Sequence, residues 1–120
     1  MRIRLHIHVD ERHSIGPGKV SLLEAVREHG SISAAARSMG MAYRHAWELV
    51  DDMNRAFASP VVEAASGGRA GGGARVTAFG QELVRRYRSM ERATRRIVAR
   101  EMAALGGGAA AAGPARNRRR

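Results

Sequence analysis

Residues 30–57 constrain the fold most strongly, because they have the pattern of two helices joined by a tight turn. The first helix is short and begins near residues 31–33, where a serine oxygen can accept an unpaired backbone N–H. The alanines at 34–36 allow a second helix to approach closely. Gly40 supplies the turn, since glycine adopts positive φ without a Cβ penalty. The second helix is predicted over about 42–57, with apolar residues at three- and four-residue steps: Ala46, Trp47, Leu49, Val50, Met53 and Phe57.

The same periodicity predicts an exposed N-terminal end for the second helix, with the polar residues Tyr43, Arg44, His45 and Glu48. A helix end of this kind enters the major groove in helix-turn-helix proteins. Arg44 can donate to guanine N7 and O6, while Tyr43 and His45 can contact phosphate or a base edge. Trp47 is expected in the core beside Val50. The alternative interpretation is an exposed helix end with ordinary polar residues.

The charge of the chain favours a polyanionic partner. Its 120 residues include 21 Lys and Arg against 11 Asp and Glu, a formal net charge of +10, which is typical of nucleic-acid-binding proteins. The chain contains no cysteine, so disulfides and cysteine-based zinc sites are excluded. It also has no apolar run of about 18 residues and no signal-peptide core, so we expect a cytoplasmic protein with no membrane partner.

The segment before the helix pair is predicted to contain a strand, a turn and a further helix. Residues 2–9 alternate between polar and apolar side chains, which predicts a half-buried strand. Residues 10–18 have the composition of a polar turn, at the end of which Pro17 can open a helix. A helix is predicted over 19–29, and Gly30 is expected to end it in a left-handed conformation.

A predicted hairpin follows the helix pair. Residues 61–65 and 74–76 are predicted strands, and the glycine-rich loop 66–73 lies between them. The loop is not a nucleotide-binding P-loop, because no Lys-Ser/Thr pair follows its glycines and the hairpin context is wrong. We interpret it as a wing whose bare backbone, with Arg69 and Arg75, contacts the DNA backbone or minor groove. A mobile surface loop without a ligand is the alternative.

One long helix is predicted over residues 78–105, capped by Thr77. At 1.5 Å per residue it would be about 42 Å long, more than so small a domain can cover, so a second copy of the chain is expected on its far end. Its apolar and small residues follow a heptad pattern, and the predicted dimerisation residues are Leu83, Tyr87, Met90, Thr94 and Ile97. Residues 106–120 are rich in Gly, Ala and Arg and are expected to form a disordered basic tail.

Together these elements predict an α+β, mainly α fold. It is a winged helix-turn-helix DNA-binding domain over residues 1–105, with a C-terminal dimerisation helix over 78–105. The residues expected to contact DNA are Ser33, Ala42, Tyr43, Arg44, His45, Glu48, Arg69, Gly71, Gly72 and Arg75.

Three histidines near the N-terminus suggest a metal-binding site as an alternative interpretation of this segment. His6 and His8 share one face of the predicted first strand, and His13 is nearby. An exposed polar strand face is the preferred interpretation, because no cysteine or carboxylate–histidine set completes a site. No nucleophile–base arrangement is evident either, so neither an enzymatic function nor a cofactor is expected.

The pattern also resembles a known family. The residues that carry the resemblance are 30–33, 35–36, 40–47, 53–54 and 67–74, followed by Val76-Thr77-x-x-Gly80-x-x-Leu83. Over residues 3–105 they look like the ModE family, molybdate-dependent transcription regulators with a LysR-like helix-turn-helix. Members commonly have a serine at the start of the recognition helix, where this chain has Ala42.

The resemblance implies a DNA-binding domain that controls molybdenum-related genes. Full-length members continue into two small β-barrel modules that bind molybdate, whereas 15 low-complexity residues follow Leu105 here. The chain is therefore expected to resemble the DNA-binding half alone and to lack those modules. A separate molybdate-binding protein is a candidate partner.

The predicted function is sequence-specific regulation of transcription by a homodimer on double-stranded DNA. Residues 42–48 of the recognition helix would enter the major groove, and the wing over residues 66–75 would contact the backbone beside it. Two alternatives remain open. One is an adaptor that dimerises with a full-length regulator or with a separate oxyanion-binding protein. The other is a nonspecific nucleic-acid-binding protein that depends on its arginine content.

Overall fold

A computed structural model describes residues 1–65 and 72–106 of the chain. The elements are β1 (Ile7–His8), β2 (Ser14–Ile15), α1 (Pro17–His29), α2 (Ile32–Ser38), α3 (Tyr43–Ala56), β3 (Val62–Ala65), β4 (Gly73–Val76) and α4 (Ala78–Ala104). The strands form two antiparallel pairs, β1 with β2 and β3 with β4. The predicted mainly helical, winged helix-turn-helix fold with a long C-terminal helix is confirmed.

The chain divides into two compact units. The main unit, Arg4–Tyr87, contains β1 to β4, α1 to α3 and the start of α4. The terminal unit combines Met1–Ile3 with Arg88–Arg120, of which the structure describes residues up to 106. None of the helices in the described ranges is both long enough and apolar enough to cross a membrane. The predicted disordered tail lies, except for Gly106, outside the described residues.

The N-terminal strand is shorter than predicted. Of residues 2–9 only Ile7–His8 is a strand, and it pairs with Ser14–Ile15 inside the segment predicted as a polar turn. The chain reverses early because Asp10 Oδ1 accepts the backbone N–H groups two and three residues later, both at 2.8 Å. The His13 ring bonds the same carboxylate at 2.9 Å and, with these backbone bonds, holds the pKa of Asp10 below its usual value.

Helix α1 begins at Pro17, two residues before its predicted start, because proline has the φ that a first helical turn requires. It ends at Gly30 as predicted. Gly30 has φ +81°, and its N–H bonds the Val26 carbonyl at 2.9 Å. The Gly30 carbonyl accepts the N–H of Ala74 at 2.9 Å, so the end of α1 is fixed to β4.

The helix pair α2 and α3 is confirmed. Ser31 Oγ accepts the N–H of Ala34 at 3.0 Å and so caps α2. Gly40 has φ +68°, the conformation that the turn between the helices needs. Ala35 and Ala36 are buried, and their small side chains allow the neighbouring helices to pack closely.

Asn54 fixes α3 to the hairpin of β3 and β4. Its Oδ1 accepts the N–H groups of Val61 at 2.7 Å and Val62 at 3.2 Å, and its Nδ2 donates to the Val62 carbonyl at 3.2 Å. Val62 in turn pairs with Val76 across the two-stranded sheet. The hairpin therefore has a defined position beside α3, set by three hydrogen bonds from one side chain.

The start of α4 packs tightly against the segment before β3. Thr77 caps the helix as predicted, since its Oγ1 accepts the N–H of Gly80 at 2.9 Å and donates to the Pro60 carbonyl at 2.7 Å. Gly80 is buried against Val61: a Cβ at this position would lie 2.3 Å from the Val61 carbonyl oxygen. This close approach requires glycine.

Tyr87 lies in the core of the main unit, whereas the sequence pattern predicted it in a dimer interface. Its side chain is 0% exposed, and its hydroxyl donates to the Leu5 carbonyl at 2.6 Å. A fully buried ring has no surface left for a second copy. Heptad spacing identifies residues that share a helix face but does not say whether the same chain covers that face.

Candidate nucleic-acid interface

The first turns of α3 present polar side chains on the side opposite the core. Ala46, Val50 and Met53 are buried at three- and four-residue steps. This leaves the predicted interface residues of α3 exposed together: Tyr43, Arg44, His45 and Glu48. The Arg44 side chain is 88% exposed, and its Nε lies 3.7 Å from Glu48 Oε2. An ion pair as exposed as this one is weak, so the guanidinium remains available to a DNA base.

Trp47 is the one residue of α3 whose environment was predicted wrongly. Its side chain is 48% exposed instead of lying in the core, and Tyr43, one turn earlier, is 56% exposed. The two residues line a cavity of about 330 Å³ beside the hairpin, together with Val50 and Gly73. The sequence contained a signal for this arrangement, because an i, i+4 spacing places two rings on one flank of a helix.

The opposite flank of α3 is basic. His45 lines a cavity of about 270 Å³ together with Arg4, His6 and Lys19. Lys19 is already engaged, since its Nζ donates to Asp52 Oδ2 at 2.5 Å and to a backbone carbonyl at 2.7 Å. Arg4 and His6 are exposed. Sequence reasoning did not assign Arg4 to the interface, although its alternation with apolar residues indicated an exposed face.

Ser33 and Ala42 lie at the beginnings of α2 and α3. Ser33 is exposed, and its Oγ accepts a hydrogen bond from Arg37 Nη1 at 3.0 Å. Ala42 is the N-cap residue of α3 and provides no side-chain hydrogen bond to the helix. The first N–H groups of α3 thus lack the side-chain acceptor that a serine would supply at this position.

The wing residues are only partly described. Gly72 is exposed at the start of the return strand. Arg75 is exposed on β4, and its Nη2 donates to Glu63 Oε2 on β3 at 3.0 Å. Arg69 and Gly71 lie outside the described residues, as does most of the predicted loop. Arg75 is therefore an arginine of the hairpin that is partly neutralised by a carboxylate.

The other predicted dimerisation residues divide between the two units. In the main unit, Leu83 is half-buried and packs against the core. In the terminal unit, Met90 is 42% and Ile97 51% exposed, and Thr94 is half-buried. Met90 and Ile97 therefore have apolar surface available in this chain, whereas Leu83 has already buried part of its own.

The three N-terminal histidines do not share a site. The ring of His13 is paired with Asp10, while His6 lines the cavity next to α3. Across residues 1–65 and 72–106, no cluster of three or more His, Cys, Asp or Glu side chains could hold a metal ion.

Comparison with known proteins agrees with this architecture. The sequence model of bacterial regulatory helix-turn-helix proteins of the lysR family matches residues 18–81. This segment runs from the second residue of α1 through α2, α3, β3 and β4 to the start of α4. The chain is 47% identical over 77 residues to the molybdenum-pterin-binding protein MopA of Rhodobacter capsulatus. The aligned segment covers 64% of this chain and 29% of that protein.

Regulators named ModE are similar as well. The molybdenum transport protein ModE of Azotobacter vinelandii is 35% identical over 88 residues, 73% of this chain and 33% of that protein. The DNA-binding transcriptional dual regulator ModE of Escherichia coli is 36% identical over 85 residues, 71% of this chain and 32% of that protein. The chain thus spans about a third of the length of these relatives. The resemblance to ModE proteins is confirmed, and the chain belongs to the lysR family of bacterial regulatory helix-turn-helix proteins.

Proposed function

We propose that this chain is a sequence-specific DNA-binding transcription regulator. The observation that carries the proposal is the exposed N-terminal half of α3, where Arg44, Tyr43 and His45 stand clear of the core. In a helix-turn-helix protein this part of the second helix reads base edges in the major groove. The net charge of +10 supplies the attraction to phosphate that such binding needs.

Each side chain of α3 is suited to a different contact. The 88% exposed Arg44 guanidinium has the fork of donors that fits guanine O6 and N7. On the basic flank, His45 together with Arg4 and His6 provides a place for a phosphate of the adjoining strand. Ser33 and the uncapped start of α3 at Ala42 are further candidates for phosphate contacts.

We assign the hairpin of β3 and β4 to the DNA backbone. Asn54 and the bond from Ala74 to Gly30 hold its base beside α3, so whatever α3 binds also lies near the hairpin. Gly72 and Arg75 are the predicted contact residues of this wing that the structure describes, and Arg69 and Gly71 belong to the same proposal. A backbone contact by the wing would add affinity without sequence preference.

The homodimer is part of the proposal and rests on the terminal unit. Met90 and Ile97 expose large apolar side chains, and Thr94 is half-buried between them in sequence. A helix without a packing partner rarely exposes large apolar side chains to water along much of its length. A second copy packed on them would bury this surface and would set the spacing of two half-sites in a palindromic operator.

Ile97→Glu is expected to convert the dimer to a monomer, because a carboxylate at this position would be buried against a second copy. Sedimentation equilibrium measures the change directly. Ala99→Glu is the matched control, since Ala99 is also exposed in the terminal unit and the charge change is the same. If both variants remain dimers, the proposed interface is in the wrong place.

The proposed gene targets come from the relatives. Two of these relatives have names that refer to molybdenum. We extend this to the present chain as control of molybdenum-related genes. The adaptor function is the competing candidate, and the formation of mixed dimers with a full-length regulator on co-expression would favour it.

Selection of bound sequences from a random duplex pool, at near-physiological salt, tests the proposed function. We expect enrichment of a motif with two-fold symmetry, because a homodimer presents two recognition helices. No enrichment, together with binding that falls steeply as salt rises, would contradict sequence-specific regulation and favour a nonspecific nucleic-acid-binding protein.

A further inference from the structure

Trp47 and Tyr43 form an exposed aromatic pair on the recognition helix. They are 48% and 56% exposed, one helical turn apart, within the first two turns of α3. The exposure of large aromatic side chains to water is energetically unfavourable. A contiguous exposed patch of such side chains usually marks a binding surface. Val50 and Met53 of the same helix are buried in the core of the main unit, whereas the indole is half exposed.

An apolar notch lies next to this pair. It has a volume of about 270 Å³ and is lined by Tyr43, Arg44, Trp47 and Glu48. Two of the lining residues are aromatic, and the other two form the Arg44–Glu48 ion pair. Because it adjoins Arg44, whatever enters the notch lies beside the base pair that this guanidinium reads.

We propose that Tyr43 and Trp47 recognise the C5-methyl group of thymine in the major groove. This inference rests on the proposed function and adds a specificity-determining contact to it. The thymine methyl is the apolar group that bases present in the major groove, and it is normally read by an apolar side chain. Arg44 and Trp47 are three residues apart, about 4.5 Å along the helix axis, which is close to the spacing of adjacent base pairs. The chain would therefore read a thymine within one or two base pairs of the guanine bound by Arg44.

Uracil substitution tests the methyl contact alone. In the duplex selected by the chain, each thymine is replaced in turn by uracil, which removes one methyl group and leaves base pairing intact. We expect at least one position in each half-site at which the affinity of the unchanged chain falls about fourfold, the effect of one methyl-sized group leaving an apolar contact. Binding is measured by fluorescence anisotropy of a labelled duplex at constant salt.

The Trp47→Ala variant should lose this sensitivity. Its affinities for the thymine and uracil duplexes should be equal within error, while Trp47→Phe should retain a preference for thymine. His45→Ala is the matched control, since His45 lies in the same turns of α3 but on the basic flank, and it should keep the full methyl effect. Because Trp47 is half exposed, we expect its removal to leave the thermal unfolding temperature nearly unchanged.

A readout without any substitution in the protein is also available. Trp47 is the single tryptophan of the chain, so its emission reports on this site alone. The emission should change on binding of the selected duplex, and the change should be smaller with uracil at the sensitive position.

The other outcomes separate this inference from the proposed function. A symmetric motif whose thymines all tolerate uracil would overturn the inference and leave sequence-specific regulation intact. Trp47→Ala could instead lose affinity equally for every duplex and retain the sensitivity to the methyl group. That result would assign Trp47 to the DNA backbone and would also overturn the inference. If no motif is selected at all, the proposed function fails first and the inference fails with it.

Discussion

Arg44→Ala is expected to lower the affinity of the dimer for the selected duplex by at least about thirtyfold. A bidentate arginine–guanine contact discriminates between bases by about 1–3 kcal/mol, and this contact would be lost in each half-site. The affinity for random duplex should fall much less, because only one positive charge per protomer is removed near the backbone. The measurement is fluorescence anisotropy with both duplexes at one salt concentration.

Arg55→Ala is the matched control for Arg44→Ala. Arg55 is also an exposed arginine of α3 in an i, i+4 ion pair, with Asp51 at 2.9 Å, but it lies at the C-terminal end of the helix. We expect it to reduce both affinities slightly and equally. Arg44→Lys keeps the charge but not the fork of donors, so it should behave more like Arg44→Ala than like the unchanged chain. If Arg44→Ala and Arg55→Ala have the same effect, Arg44 does not read a base.

Gly80→Ala is expected to lower the free energy of unfolding by about 3 kcal/mol, at the upper end of the usual cost of overpacking. The added Cβ would lie 2.3 Å from the Val61 carbonyl oxygen and 2.8 Å from Val76 Cγ1. The first neighbour is backbone, so it cannot move aside as the end of a flexible side chain can. The intrinsic gain of about 1 kcal/mol from replacing a helical glycine by alanine is too small to offset this clash.

Gly18→Ala is the control for the Gly80 variant. Gly18 is also helical, near the start of α1, and a Cβ there meets nothing within 4 Å. The substitution should raise the free energy of unfolding by up to about 1 kcal/mol. Urea unfolding followed by circular dichroism, at one protein concentration because a dimer is proposed, measures both changes. If Gly80→Ala unfolds at the same urea concentration as the unchanged chain, the packing of α4 against Val61 is not tight.

The elements of the recognition region follow from local sequence. Ser31, Gly30 and Gly40 determine a cap, a helix end and a turn because each supplies a specific hydrogen bond or a positive φ that few other residues provide. Thr77 likewise starts α4. The exposure of Arg44 followed from helical periodicity, since its position lies opposite the buried residues of α3.

Two of the errors concern residues on helices. Periodicity placed Trp47 next to Val50, whereas the structure leaves the indole half exposed, beside a cavity that Gly73 and Ala74 of the hairpin also line. Tyr87 fits a dimerisation seam by spacing, yet the chain segment at Leu5 covers it. In both cases the outcome depended on a segment far away in sequence.

The sequence by itself therefore determined the order of the helices and of the later hairpin, the helix caps and turns, and the polar end of the recognition helix, because these depend on interactions between residues a few positions apart. Only the tertiary structure decided what the side chains at the helix borders touch. Contacts such as Asn54 with Val61 and Tyr87 with Leu5 join distant parts of the chain, and no local pattern encodes them. The Tyr43–Trp47 surface belongs to this second class, since its exposure depends on what the rest of the fold leaves uncovered.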